Sequence, residues 1–168
     1  ITSFKNDTLI SALKVLLEQA ERFSKDTLIR PDTVINLLDG KKLHCYSFIL
    51  ASRCAYFECL FADEWSRSKN VKEIDMTHIS QDAFMCVLKY IHGTPFDELL
   101  SHFQYQSPEE FIEFILGLIE ITDELLLSEM KHYFQSVLVD FISSSTVIPL
   151  LANAFYLKCE ALALECCW

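Results

Sequence analysis

The chain has 168 residues, 51% of them hydrophobic, with only three Gly and four Pro, which suits about one helix-rich globular domain with few long loops. Its formal net charge of -10, with a pI near 4.9, argues against nucleic-acid binding, which needs a basic face to displace counterions. No apolar run reaches the ~18–20 residues of a membrane span.

In chain order, Asn6 or Asp7 caps an expected helix that runs to about Phe23, with Leu9, Leu13, Leu16, Leu17 and Ala20 on one face. Ser24 to Pro31 breaks it. Strand Thr33–Leu38, rich in Val, Ile and Leu, then meets an Asp39-Gly40 turn and a second strand near Leu43–Cys45. Helical spacing resumes at Phe48, Ile49, Ala51 and Ala55, then Tyr56, Cys59 and Leu60. Glu64 to Asn70 is polar except for Trp65, and Val71–Met76 reads as a short strand. Ser80 caps a helix carrying Phe84, Val87, Leu88 and Ile91 and stopping at Gly93.

Thr94 to Ser107 is a connection with weak helical character around Phe96–Phe103. Ser107-Pro108-Glu109-Glu110 then opens a helix. Ser is the N-cap, Pro takes the first helical position and Glu the third, a capping box. That helix should run to about Thr122. Ser128 starts the next, with Met130, Tyr133, Phe134, Val137, Leu138 and Phe141 on its buried face. A Ser143-Ser144-Ser145 linker precedes two more helical stretches, Val147–Phe155 and Cys159–Cys167. The expected fold class is α+β, mostly helical, with a small sheet flanked by helices and a C-terminal helical pair.

Between Lys89 and Lys131 there is no Lys or Arg, yet nine acids: Asp97, Glu98, Glu109, Glu110, Glu113, Glu120, Asp123, Glu124 and Glu129. They make either a solvated acidic face or a patch that steers a basic partner. The seven Cys show no C-x-x-C. Cys45, Cys59 and Cys86 lie in apolar patterns, where Cys behaves as a small hydrophobe. Cys166 and Cys167 are adjacent and cannot form an ordinary zinc half-site. The five His are scattered, and His44 reads as an outward strand residue. An enzyme reading would take Cys54 or Cys59 with a His as nucleophile. No Gly-rich loop or paired-acid cleft accompanies them, so no enzyme, metal or cofactor is expected. All seven Cys are expected as free thiols in a reducing compartment, cytoplasmic or nuclear. The first residue is Ile and not Met, and we read the chain as a piece of a longer protein.

The run from Asp32 to Phe61, DTVINLLDGKKLHCYSFILASRCAYFECLF, feeds a hairpin straight into helices and resembles the opening of a BTB/POZ domain, a protein-interaction fold. The resemblance covers residues 1–142 as the domain with its N-terminal helix, and 143–168 as the helical extension called the 3-box. Within the family, FILASRCAYFECLF, the Trp of DEWSRS and LIEITDELLLSEMKHY are similar to the BTB region of inhibitor-of-Bruton-tyrosine-kinase-like and fungal ankyrin-BTB proteins.

The resemblance implies a substrate adaptor of a cullin-3 ubiquitin ligase, binding the cullin-3 N-terminal domain through Tyr56, Phe57, Trp65, Arg67, Asp123 and Leu126. A ubiquitination substrate would be held by parts of the protein outside this chain. It also implies a homodimer face at Leu9, Leu13, Leu16 and Asp32. The alternative is a homodimerisation or scaffold module without cullin binding. Three departures from the family pattern stand out. Tyr46 replaces a His. Ser47 replaces a basic residue that would face Asp32, so the Asp32 carboxylate is expected to lack its charged partner. Trp65-Ser66-Arg67 replaces an apolar-x-Glu motif, which puts a base where cullin-binding relatives carry an acid. A lone Trp in a polar segment either folds back onto the core or inserts into a partner's pocket.

Overall fold

The structure, a computed structural model, describes residues 30–62, 72–101 and 103–168. The expected N-terminal helix, with Leu9, Leu13 and Leu16, lies outside the described residues, as do Trp65 and Arg67. The chain forms two compact units, Ile1–Ser101 and His102–Trp168.

The first unit is built on a three-stranded sheet in the order β2-β1-β3. β1 (Thr33–Leu37) is central, antiparallel to β2 (Lys42–Cys45) and parallel to β3 (Lys72–Met76). The β-branched run of β1 is buried almost throughout, as suits a strand with a neighbour on each side. Leu38 does not extend the strand: Leu38–Gly40 make a single 3-10 turn, closed by Lys41 N–H to the Leu38 carbonyl at 3.3 Å. Gly40 takes φ +70° there, a conformation side chains disfavour. The register Ile35↔Leu43 and Thr33↔Cys45 puts Leu43 and Cys45 in the core and turns His44 the other way, half-buried. β3 alternates and leaves Glu73 and Asp75 exposed, the pattern of an edge strand.

Two short helices follow the hairpin, α1 (Ser47–Arg53) and α2 (Ala55–Ala62). They bury Ile49 and Leu50, then Phe57 and Phe61. Phe48, Cys59 and Leu60, expected inside from their spacing, are exposed instead. α3 (Gln81–Ile91) is eleven residues long and buries Phe84, Val87, Leu88 and Ile91 as expected. The Ser80 hydroxyl caps it, accepting from Ala83 N–H at 3.3 Å. Gly93, at φ +86°, turns the chain out of it into the one-turn α4 (Phe96–Leu99).

The second unit is helical. α5 (Pro108–Glu124) starts at the expected cap: Ser107 Oγ accepts from Glu110 N–H at 3.2 Å. The Glu110 carboxylate reaches back one residue further than a standard box and accepts from Gln106 N–H at 2.8 Å. α6 (Ser128–Val139) packs on α5; it buries Met130, Phe134 and Leu138, and α5 buries Ile115, Leu118 and Ile119. The ring of Phe111 lies 5.1 Å from Phe141 and 4.7 Å from Tyr105. α7 (Val147–Tyr156) and α8 (Glu160–Glu165) form the terminal pair, with α8 also resting on α6. The fold is thus mostly helical with one small sheet, the α+β class expected from the sequence.

Candidate interaction surfaces

At the end of β1's approach, Asp32 meets the start of α1. Its Oδ1 accepts the Ser47 backbone N–H at 2.7 Å, and its Oδ2 accepts the Ser47 hydroxyl. The first N–H groups of a helix have no intrahelical acceptor, and a carboxylate there also complements the helix dipole. Asp32 therefore caps α1 from a separate element. The Asp32 carboxylate is not left unpaired: where the family carries a basic residue, Ser47 supplies a hydroxyl donor, and its backbone N–H donates as well. Tyr46, in the place of the family's His, is buried beside them.

On α2, Phe57 is fully buried, at 0% exposure, and stacks on Phe61 with ring centroids 6.0 Å apart. It belongs to the core of the first unit, so its assignment as a partner contact is corrected. The face α2 shows to solvent carries the half-buried Tyr56 and the exposed Cys59 and Leu60. The mistake has a physical cause. Adjacent side chains on a helix point about 100° apart, so the orientation that leaves Tyr56 half-exposed carries Phe57 into the core. At the end of α1, the Arg53 guanidinium sits 5.8 Å from the centre of the Tyr90 ring, a cation–π contact.

In the second unit, Asp123 and Leu126 lie together at the α5–α6 junction. α5 ends in a Schellman motif: Leu126 N–H bonds the Asp123 carbonyl at 3.1 Å, and Leu127 N–H bonds the Thr122 carbonyl at 2.8 Å. The motif needs a left-handed residue, and Leu126 supplies it with φ 58°. Glycine usually takes this place, and a side chain there costs about 1 kcal/mol. The strained residue is also exposed, at 63%. Asp123 beside it makes an ion pair of 2.6 Å with Lys131.

The α7–α8 turn repeats this geometry, which nothing in the local sequence announces. Lys158 N–H bonds the Phe155 carbonyl at 3.3 Å, Cys159 N–H bonds the Ala154 carbonyl at 2.8 Å, and Lys158 holds φ 55°. Phe155 and Tyr156 just before it are 69% and 77% exposed. An apolar groove of about 330 Å³ lies between α7 and α8, lined by Ala154, Phe155, Ala163 and Leu164 with Lys158 and Glu160 at its polar positions. Exposed aromatics beside an apolar groove are a mark of a binding surface.

The cysteines give no reactive cluster. All seven are free. Burial pushes the thiols of Cys45 and Cys86 up to about 12, and burial also raises Cys54 and Cys159, which disfavours the nucleophilic thiolate. Among the described residues, no group of three or more His, Cys, Asp or Glu side chains is placed to hold a metal ion, and no helix is long and apolar enough to cross a membrane.

A small sheet with helices, left-handed residues at two helix ends and exposed apolar side chains suit a protein-interaction module. The BTB/POZ domain family model matches residues 21–105, and the chain belongs to that family. Inhibitor of Bruton tyrosine kinase from Xenopus laevis is 25% identical over 135 residues, 80% of this chain and 10% of that protein. BTB/POZ domain-containing protein 1 of Schizosaccharomyces pombe is 25% identical over 138 residues, again 80% of this chain and 10% of the relative. The chain thus spans about a tenth of the length of these relatives. The BTB domain of zebrafish PATZ1 superposes with a TM-score of 0.54 at 19% identity, covering 77% of this chain and 89% of that one. The BTB domain of human gigaxonin gives 0.50 at 22% identity, over 76% and 88%. Both support the fold.

Proposed function

We propose that this chain is the adaptor module of a cullin-3 ubiquitin ligase, gripping the cullin N-terminal domain while other parts of a longer protein hold the substrate. BTB domains mediate partner binding and dimerisation, and family membership makes an interaction role the starting point. The observation that carries the reading is Leu126: an apolar side chain, 63% exposed, fixed by a Schellman motif beside an exposed acid, where the resemblance puts a cullin contact. Strained backbone positions cluster at functional sites, and the exposed Leu126 side chain stands on one. The contact set is Tyr56, Trp65, Arg67, Asp123 and Leu126, with Phe57 removed. The action is in the cytoplasm or nucleus, where such ligases work.

Calorimetric titration of the chain with the cullin-3 N-terminal domain tests this. Binding should be seen, and Trp65→Ala should weaken it by about 2 kcal/mol or more, over tenfold in affinity. Arg67→Glu should leave the affinity unchanged or raise it. Equal binding by a folded Trp65→Ala protein sinks the Trp65 site.

The second reading is a self-associating scaffold that touches no cullin. Arg67, a base in the place of the relatives' acid, favours it. It becomes the better account if the wild-type chain fails to bind cullin-3 and light scattering at tens of micromolar gives a dimer mass.

A further inference from the structure

Lys131 is a charged residue drawn into the second unit, with its side chain only 12% exposed. Lysine is seldom buried without partners, because its ammonium must replace lost water. Here the replacements come from two different places. One is the Asp123 carboxylate at 2.6 Å, on the last turn of α5. The other is the Leu157 carbonyl at 3.0 Å, at the end of α7 and 26 residues further along the chain. The same carbonyl accepts the Cys159 thiol at 3.6 Å.

Both partners belong to Schellman ends. Asp123 precedes the left-handed Leu126 by three residues, and Leu157 directly precedes the left-handed Lys158. A Schellman end leaves terminal carbonyls of its helix without intrahelical donors. Lys131 donates to one of these from the first turn of α6, and at the same time holds the acid of the other junction. The two strained turns thus share one ammonium. Leu126 stands on one, and Phe155 and Tyr156 close the helix that leads into the other.

We propose that Lys131 is a positioning residue that couples the α5–α6 junction to the α7–α8 turn, so that Leu126 and the Phe155–Tyr156 pair meet a partner as one surface. The coupling stands on the two contacts of Lys131. Its consequence for binding rests on the cullin reading above.

Amide hydrogen exchange on the full chain separates the two. Lys131→Met keeps the length and removes the charge. Exchange should rise about tenfold in both segments, residues 122–128 and 154–160, while the interior of α5 keeps its protection. Lys131→Arg should restore most of the protection in both. Asp123→Asn keeps an oxygen acceptor at an exposed position and removes the charge, and should also loosen both segments. Loosening of one segment alone, of neither, or of the whole unit uniformly overturns the coupling. With cullin-3, Lys131→Met should lose about tenfold in affinity and Lys131→Arg should recover it. A Lys131→Met protein that exchanges faster yet binds normally overturns the positioning role. A wild-type chain that does not bind cullin-3 defeats the adaptor reading instead, and the exchange data still decide the coupling.

Discussion

Replacing Asp32 with Ala tests whether this residue is a helix cap or a surface for a second subunit. The change deletes the acceptor of the Ser47 N–H, at 2.7 Å, and of the Ser47 hydroxyl. Loss of a capping side chain typically costs about 0.5–2 kcal/mol. Hydrogen bonds to a charged group stand at about 1.5–3 kcal/mol, but Asp32 reaches solvent, and water reclaims part of that. Ser47 itself is 1% exposed, so its N–H and hydroxyl are left in a site where water enters poorly. The expected loss is therefore about 1.5–2 kcal/mol, in the upper part of the capping range. Asp32→Asn keeps one carbonyl oxygen for the N–H and should lose about half as much. Ser47→Ala removes only the hydroxyl bond and should cost about 1 kcal/mol. A double-mutant cycle between Asp32→Ala and Ser47→Ala should show coupling of about 1 kcal/mol, because the two residues share that bond. Equilibrium urea unfolding measures all four proteins. The cap argument fails if Asp32→Ala unfolds within about 0.3 kcal/mol of wild type. It fails equally if the variant keeps its stability and changes only the mass in solution.

Two further outcomes follow from burial. His92 is 4% exposed, with Nδ1 donating to the Leu88 carbonyl at 2.8 Å. Burial, and secondarily the charge of Arg53, hold its pKa below the usual histidine value. The unfolded chain then takes up this proton first, so the contribution of neutral His92 is full above the unfolded pKa of ~6.5 and is lost as pH falls toward the folded value. His92→Gln should flatten that part of the stability–pH curve, and a variant with an unchanged slope there contradicts the assignment. In the native protein near pH 8, a thiol reagent should label Cys59 and Cys167 quickly and the five buried cysteines only after unfolding, for a total of seven. Rapid native labelling of Cys45 or Cys86, whose thiols burial pushes to about 12, would contradict the core placement.

What could be read from the sequence was local. The Asp-Gly turn between two apolar runs marked the hairpin, and Ser-Pro-Glu-Glu marked the start of α5, because turn and cap chemistry act within a few residues. The eleven residues of α3 span three turns, enough for their spacing to define the buried face. The seven and eight residues of α1 and α2 are apolar on most sides and make about two turns each. Their own pattern could not choose between Phe48, Cys59 and Leu60 and the Ile49, Leu50, Phe57 and Phe61 that packing buries. The family's charge pattern suggested an Asp32 without a charged partner and could not show that Ser47 would hydrogen-bond it, since no local rule links residues fifteen apart. The left-handed residues Leu126 and Lys158 have no glycine to announce them, and the Lys131 link to Leu157 spans 26 positions. Propensity and capping fix where elements start and stop. Which of their side chains face inward, which charges find partners and which turns are locked together depend on packing between segments distant in sequence, and only the tertiary structure decides them.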